Sequence, residues 1–537
     1  MSVESALLRR LRLAAQRLTP EAAAAASAEE AALAVCGIQA QDVPEAGLAL
    51  RCRVPGITRA DVDEAKLVRS SSRRRAPRGC HPRRAMETST RTRPQRGAGP
   101  ELSVDSFAFG GAGVARSDGY VVFVAGAVPG DRVRAVVSKS KRSFAEARAI
   151  EVLEPGPDRV EPVADHPGAP WQILRYERQL EVKRDQAEEA LRRIGGLDGF
   201  ELEEIVPAVE RWRYRNKFEY SFGTAPDGTL VCGFHAPGRW DRIDHVEDCM
   251  LASEAGNEAR RRVLAWCREQ GLNAYDRRSG EGFLRNLVVR EARRTGQLQV
   301  RLVTSDGKLD ADGLAHAAAV DGVFWTRTTD LGETTTGGIT EYIAGAPVLE
   351  EELGDLRFRI SPLAFFQTNT EMAERLYGLA AEYADLRGRE RLFDLYCGIG
   401  TAGLSLAGRA AQLFGLEIVP EAVADAIENA RLNDIAHASF FAGDVRLALR
   451  ELVERAGRPD VVVVDPPRAG LSKKVVRRLI EASPRRIVYV SCNPTTLAPN
   501  AAQLVEAGYA LRRVRPVDMF PQTPHIECVA LLERVAG

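Results

Sequence analysis

Long apolar runs are missing from these 537 residues: no stretch reaches 18 apolar positions, which argues against a membrane-spanning helix. The first residues also lack the apolar core of a secretory signal, so no export is expected. Lysine is scarce, 8 against 66 arginines. The bias runs through every segment, so it reflects codon usage in an Ala/Arg-rich genome rather than selection of one phosphate-binding surface. Net charge is missing too: 74 basic side chains balance 74 acidic ones, which excludes a globally basic coat but allows local patches. The nine cysteines are few, scattered and odd in number, which fits free thiols in a reducing cytoplasm. What is present is ordinary for a globular chain, 45% apolar and 28% charged. At ~150 residues per domain the length implies roughly three to four domains, enough to bury several cores without disulfides or metals.

Residues 1–69 alternate helical and turn signals and read as the start of a folded unit. Within them the run from Cys36 through Gln39-Ala-Gln41 to Asp63 resembles the beginning of a winged-helix DNA-binding family that includes DNA glycosylases. The resemblance implies glycosylase roles for Gln39 and Gln41, yet it stops near Val68-Arg69, with most of that family's domain absent. A truncated fragment without its packing partners is expected to be inactive. Residues 70–100 then read as a disordered, Arg-rich linker. The stretch 69–96 holds ten arginines and one acid, Glu87, and cannot bury enough apolar area to order itself. Its composition suits an accidental linker better than a nucleic-acid tether. The expectation is an upstream reading frame joined to a chain whose own start is Met86.

Residues 101–160 change character. Apolar and polar positions alternate between Gly, Asp and Pro turns, and strands are expected near 101–105, 113–116, 120–125, 131–139 and 144–153. Five such strands make a small barrel of the OB type, with Lys139-Ser-Lys-Arg142 at a hairpin tip. The segment resembles a TRAM domain, an RNA-binding barrel, although a basic tip alone reads better as a solvated turn. Residues 171–194 predict an amphipathic helix ended by Gly195-Gly196. The span 161–360 otherwise reads as α+β, with strand-like runs and a helix over 254–270. From 361 to 537 helix and strand alternate, which implies a parallel sheet covered on both faces, a Rossmann-like α/β fold.

The chemistry-bearing motifs lie in that last region. Residues 391–404 run from an apolar strand through Asp394 into a loop with Gly398, Gly400 and Gly403, then into a helix. Such glycines let a nucleotide approach the backbone at the carboxyl end of a first strand. Glu417 ends a second strand, where an acid bonds ribose hydroxyls, and Asp444 ends a third, where an adenine amino group could be bonded. The Asp-x-Tyr-Cys-Gly-x-Gly form of the loop suits S-adenosylmethionine rather than a dinucleotide. The fourth strand ends in Asp465-Pro466-Pro467-Arg468, where an Asp can accept a hydrogen bond from a base edge. Asp-Pro-Pro-Arg in place of Asn-Pro-Pro-Tyr directs the expectation away from exocyclic amines. The bland alternative is a rigid strand-to-helix turn.

The fifth strand ends in Ser491-Cys492-Asn493-Pro494. A thiol there is placed for nucleophilic work. Carbon 5 of uracil is a poor nucleophile until a thiolate adds to carbon 6, and a base must later remove the carbon-5 proton. Glu527, between a proline-bearing loop and the final apolar strand, is the candidate base. Alternatives are His525 for the base, and Cys397 and Cys528 for the thiol, although a lone cysteine in such a run is usually core.

Together Asp394–Gly403, Asp465-Pro-Pro-Arg468, Ser491-Cys-Asn-Pro494 and His525-Ile-Glu527 resemble the RNA uridine-C5 methyltransferases that make 5-methyluridine in tRNA and 23S rRNA. The resemblance covers about residues 101–537. It implies a class I methyltransferase domain over 361–537, a TRAM barrel over 101–160 and an inserted, RNA-binding α+β domain over 161–360. It implies Cys492 as nucleophile and Glu527 as proton acceptor. It also implies cofactor contacts from Gln367, Tyr396, Thr401, Glu417, Asp444 and Asp465, with Thr401 standing where an Asn is common. The expected partners are S-adenosyl-L-methionine and structured RNA, 23S rRNA ahead of tRNA, acted on by a monomer with no membrane. Some relatives hold a four-iron cluster through a Cys-rich stretch after the barrel. Here residues 164–171 contain no cysteine and only Cys249 matches a ligand position, so neither cluster nor other metal is expected. A non-catalytic RNA-binding copy of the fold is the alternative, but such a copy should have lost Cys492 or Glu527.

If residues 1–85 are an appended fragment, a chain that begins at Met86 matches the full chain in melting temperature and activity. A loss of activity beyond about tenfold, ~1.4 kcal/mol of barrier, would show that the segment contributes.

Overall fold

The computed structural model describes residues 93–535 apart from Leu331 and Glu333. The expectations for residues 1–69 and for 70–92 of the linker lie outside the described residues. Residues 93–100, counted with the linker in the sequence reading, pair instead with the barrel. Arg93 donates to Ser140 Oγ at 2.8 Å, Gly97 N–H to the Val137 carbonyl at 2.9 Å, and Val137 N–H to the Ala98 carbonyl at 3.0 Å. An exposed strand edge supplies the partners that composition alone does not reveal.

The barrel consists of β1 (Glu101–Phe107), β2 (Gly113–Ser117), β3 (Tyr120–Ala125), β4 (Arg132–Ser140) and β5 (Phe144–Glu154), closed in the order β1-β2-β3-β5-β4. Period-2 alternation turns Leu102, Val104, Val122, Val124, Val133 and Val137 inward. At the tip between β4 and β5, Lys139 pairs with Glu146 at 3.0 Å, while Lys141 and Arg142 are exposed.

Next come α1 (Tyr176–Glu189), extended by a π turn over Ala190–Ile194, and the short β6 (Glu201–Leu202). The helix starts five residues later than periodicity predicts. Trp171 and Leu174 are buried in the preceding turns, where Trp171 N–H donates to the Gln522 carbonyl at 2.9 Å. The central sheet then contains β7 (Lys217–Thr224), β8 (Leu230–His235), β9 (Ile243–His245), β10 (Leu284–Glu291), β11 (Leu298–Thr304), β12 (Gly322–Arg327) and β13 (Ile339–Gly345). They run in the order β13-β12-β11-β10-β7-β8-β9. Two helices, α2 (Glu254–Glu269) and α3 (Ala311–Ala318), pack with Phe218, Tyr220, Leu287, Val289, Val300 and Leu302. The other sheet face is polar, with Lys217, Glu219, Arg290 and Arg301.

The last layer contains the hairpin β14 (Leu349–Leu353) and β15 (Leu356–Ile360), then α4 (Thr370–Ala384), β16 (Arg391–Leu395), α5 (Thr401–Ala407), β17 (Gln412–Glu417) and α6 (Pro420–Leu432). It continues with β18 (Ala438–Ala442), α7 (Val445–Ala456), β19 (Val461–Val464), α8 (Lys473–Ala482), β20 (Arg486–Ser491), α9 (Pro494–Glu506), β21 (Tyr509–Val517) and β22 (Glu527–Arg534). The strands form one sheet, β18-β17-β16-β19-β20-β22-β21-β6, parallel except for β22. This is the expected α/β architecture, but the boundary drawn at 361 shifts. Residues Leu349, Phe358 and Ile360 of the hairpin share the core of α4 and β16, while β6 extends the same sheet from residues assigned to the central span. Both segments are too short or too polar to declare their partner by pattern.

The connection from β21 to β22, residues 518–526, is held by α1. Lys183 and Asp518 form an ion pair at 2.5 Å with both side chains fully buried, and Tyr176 OH donates to the same carboxylate at 2.8 Å. Gln179 donates to Gln522 Oε1 at 2.8 Å and accepts from Gln522 N–H at 3.0 Å. Tyr214 OH donates to the Pro521 carbonyl at 3.1 Å, and Asn369 to that of Met519 at 2.9 Å. Gly111 of the barrel, at φ +92°, comes so close that a Cβ there would lie 2.7 Å from Pro524. Removing one partner of a buried pair strands the other charge. Lys183→Met is therefore expected to destabilise the protein by ~3–5 kcal/mol, read as a lowered denaturation midpoint.

Candidate active site

The strand order reverses direction between β16 and β19, and the crevice beyond their carboxyl ends is where open α/β sheets bind ligands. Asp394, fully buried near the end of β16, accepts from Gly403 N–H at 2.7 Å through Oδ2, while Oδ1 is buried without a hydrogen-bond partner. Residue 403 must be glycine for this approach, since a Cβ would sit 2.7 Å from the carboxylate oxygen. Burial raises the Asp394 carboxyl to about 7, helped by the charges of Asp465 and Glu417. Tyr396 takes the left-handed conformation, φ +66°, a strained choice for a tyrosine that turns the chain into the loop. Glu417 accepts from Gly398 N–H at 3.2 Å and from Ile418 and Val419 N–H at 2.7 and 3.0 Å, so it braces two loops. Thr401 opens α5 and lies 3.2 Å from the Tyr377 hydroxyl. Asp444 caps α7 by accepting from Arg446 N–H at 2.8 Å, and the Arg446 guanidinium holds its carboxyl below the ordinary value.

Gln367 joins this crevice to the next strand end: its Nε2 lies 3.4 Å from Asp465 Oδ2. The central domain holds the Gln367 segment from behind. Asn216 donates to the Gln367 carbonyl at 2.9 Å, and Arg290 to those of Ser361 and Ala364 at 3.2 and 2.6 Å. Burial raises Asp465 to about 7.

The β20–β22 ladder runs antiparallel and ends with Ser491 opposite Cys528. One further step brings Cys492 opposite Glu527, so thiol and carboxylate come from adjacent strands at the same edge of the sheet. Glu527 is 2% exposed. Burial, then the Asp465 charge, raise it well above the usual carboxylate range. Burial, Glu527 and Asp465 push the Cys492 thiol up to about 11, and Arg468 opposes them. Cys492 is partly exposed, whereas Cys397 and Cys528, the alternative thiols, are buried. His525 meets Arg468 Nη2 through Nδ1 at 2.8 Å. Desolvation and the Arg468 charge push it down to about 4, which makes it a weak base.

The crevice thus gathers Asp465, Gln367, Cys492 and Glu527 at one strand edge, with Tyr396, Thr401 and Glu417 along the glycine loop. Asp444 stands beside them with its carboxylate already engaged by Arg446. Arg468 was quoted in the sequence reading only as part of its motif. Its carbonyl accepts from Asn493 Nδ2 at 3.2 Å, which ties the Asp465 turn to the Cys492 turn. Nothing in the spacing announces that bond. The lone cluster-type cysteine, Cys249, lies 3.1 Å from His166 Nε2, and among the described residues no group of three or more His, Cys, Asp or Glu side chains could hold a metal ion. No helix among the described residues is long and apolar enough to cross a membrane.

Comparison with known proteins matches this geometry. A family model described as tRNA (Uracil-5-)-methyltransferase matches residues 346–535, and a TRAM domain model matches residues 95–150. An RNA methyltransferase of Halalkalibacterium halodurans is 38% identical over 447 residues, covering 81% of this chain and 96% of the relative. One of Chlorobaculum tepidum is 39% identical over 446 residues, covering 78% and 92%. The solved tRNA (uracil-54, C5)-methyltransferase of Pyrococcus abyssi, in complex with S-adenosyl-L-homocysteine, superposes with a TM-score of 0.68 at 29% identity, covering 80% of this chain and 99% of that one. With the uracil-5 model lying over the strands that carry Asp465, Cys492 and Glu527, and relatives matched almost from end to end, the chain belongs to the RNA uracil-C5 methyltransferase family.

Proposed function

We propose that the protein methylates carbon 5 of a uridine in structured RNA through a covalent adduct on Cys492. The observation that carries this reading is a partly exposed thiol one residue past the end of β20, next to the buried carboxylate that opens the adjacent β22, beside Asp465 and Gln367.

The residues of the crevice fit S-adenosyl-L-methionine. The unpartnered Asp394 oxygen, the left-handed turn at Tyr396 and the acid at Glu417 form a cradle for a cationic, ribose-bearing ligand. When bound, that donor supplies an electrophilic methyl group on sulfur. Tyr396, Thr401, Glu417 and Asp444 would orient it, with Gln367 and Asp465 between it and the base. Asp465 is suited to accept a hydrogen bond from the uracil N3–H. The Cys492 thiolate adds to carbon 6, and the displaced double-bond electrons pass to the O4 side as an enolate. Carbon 5 then forms its bond to the methyl group as the sulfur–methyl bond breaks. Glu527 takes the carbon-5 proton, the carbon 5–carbon 6 double bond re-forms, and the bond from Sγ to carbon 6 breaks to return the thiolate. Burial makes Glu527 a stronger base than an exposed carboxylate.

The target uridine must leave its stack to reach the thiol, at a cost of a few kcal/mol. The barrel, with Lys141 and Arg142 exposed at its tip, is suited to hold the flanking RNA. The sequence reading puts 23S rRNA ahead of tRNA, while the solved relative named for uridine 54 of tRNA supports the opposite order. Mass spectrometry of rRNA and tRNA nucleosides from a deletion strain decides between them.

Cys492→Ala is expected to abolish methylation while leaving cofactor affinity within about twofold, and 5-fluorouridine RNA is expected to trap only the wild type. Full turnover by the variant would overturn the assignment. Glu527→Gln keeps the shape but removes the base, so methyl transfer proceeds without elimination. A protein–RNA adduct bearing the donor's labelled methyl group then survives a denaturing gel. Wild-type turnover by this variant would remove Glu527 from the role.

Both groups must lose a proton, and the burial that lifts Cys492 to about 11 lifts Glu527 as well. Below about pH 11 the thiolate fraction of Cys492 grows with pH. Between about pH 6 and pH 9, kcat/KM is expected to climb by close to tenfold per unit. A flat profile would mean that the thiol is ionised throughout.

A further inference from the structure

A second concave site lies in the central domain, away from the crevice. A cavity of about 190 Å³ is lined by Trp240, Asp241, Tyr275, Arg277, Arg278 and Arg285. It is smaller than the ~300–1,000 Å³ pockets that enclose drug-sized ligands. Trp240 is 55% exposed, an unusual position for the residue with the largest apolar surface to bury. The Arg278 guanidinium lies 5.4 Å from the Trp240 ring, and that of Arg285 lies 3.9 Å from the Tyr275 ring. Arg285 is itself fixed by donating to Ser305 Oγ at 3.0 Å. Asp241 is taken by Arg239 at 2.7 Å and by Arg278. Burial and then the neighbouring Arg285 charge push Arg277 below its ordinary value, so two cations crowd one rim. Tyr275 is half-buried under Arg285, so Trp240 is the aromatic face open to a ligand. An exposed aromatic face among arginines is the chemistry by which proteins stack unpaired bases and neutralise their phosphates.

We propose that this cavity takes one unstacked nucleotide of the RNA substrate, its base on Trp240 and its phosphate near Arg277 at the rim. The inference rests on the RNA-methylation reading. Its position gives it a distinct role. Asn216, at the start of β7, bonds the Gln367 segment, whereas Thr224, at the other end of that strand, lines the cavity. The eight residues of β7 span ~25 Å at ~3.3 Å per residue. At ~3.4 Å per stacked nucleotide that is roughly seven nucleotides from the target. The cavity is thus an anchor for distant RNA, indifferent to which base it holds because every base offers a π face.

The test is the fluorescence anisotropy of labelled oligoadenosine RNA, which offers Cys492 no uracil, with full-length protein. Trp240→Ala is expected to weaken binding by about fivefold or more, the loss of one stacked base, and Trp240→Phe to restore it to within about twofold. With bulk tRNA and rRNA from a deletion strain, Trp240→Ala should raise KM by a similar factor at unchanged kcat. Unchanged oligoadenosine affinity in Trp240→Ala overturns the proposal. If Trp240→Ala weakens oligoadenosine binding while the wild type methylates no RNA, the cavity stands and the uridine-methylation reading falls.

Discussion

The site depends on one reversed strand. Every other strand of the last sheet points the same way, so their carboxyl ends collect at one edge and their amino ends at the other. Strand β22 alone is antiparallel to both β20 and β21, which brings its first residue to the edge where the rest finish. Glu527 can therefore stand opposite the Cys492 turn. If β22 were parallel, its amino end would lie at the opposite edge, a strand length from the thiol.

That geometry concentrates acid. Asp394, Asp465 and Glu527 approach one crevice with little water to screen them; burial raises all three, and the Asp465 charge adds to it at Asp394 and Glu527. Arg468 is the cation that opposes this at Cys492 and Glu527, while burial and then the Arg468 charge lower His525. An acid-crowded crevice suits a cationic donor, and a raised carboxylate pKa suits proton removal from carbon.

Much of this was legible in the sequence because it depends on local pattern. The barrel strands follow period-2 alternation closely, and the acids at residues 417, 444 and 465 fall at or just past the strand ends where a doubly wound sheet needs them. What escaped depends on partners far apart in the chain. The inward-facing residues of α1 include Gln179 and Lys183, which meet the polar backbone and carboxylate of residues 518–522, and Gln186, which donates to the Ala108 carbonyl of the barrel, so an apolar-stripe rule misjudges its buried face. The hairpin β14–β15 reads like the sheet before it but packs on the helices after it. The Asn493–Arg468 bond spans 25 residues between two strand ends and leaves no trace in spacing.

The loop over residues 518–526 is secured by Trp171, Tyr176, Gln179, Lys183, Tyr214 and Asn369. All of these lie upstream of it, in three different parts of the chain. On the ribosome they are made first, and domains fold broadly in order of synthesis. Cys492 emerges before Glu527 does, and the loop and β22 have their partners in parts of the chain already made. A nascent chain that has exposed this thiol thus lacks the carboxylate that comes to stand beside it until the preceding parts have come together, so the completeness of the crevice reports the integrity of the whole fold.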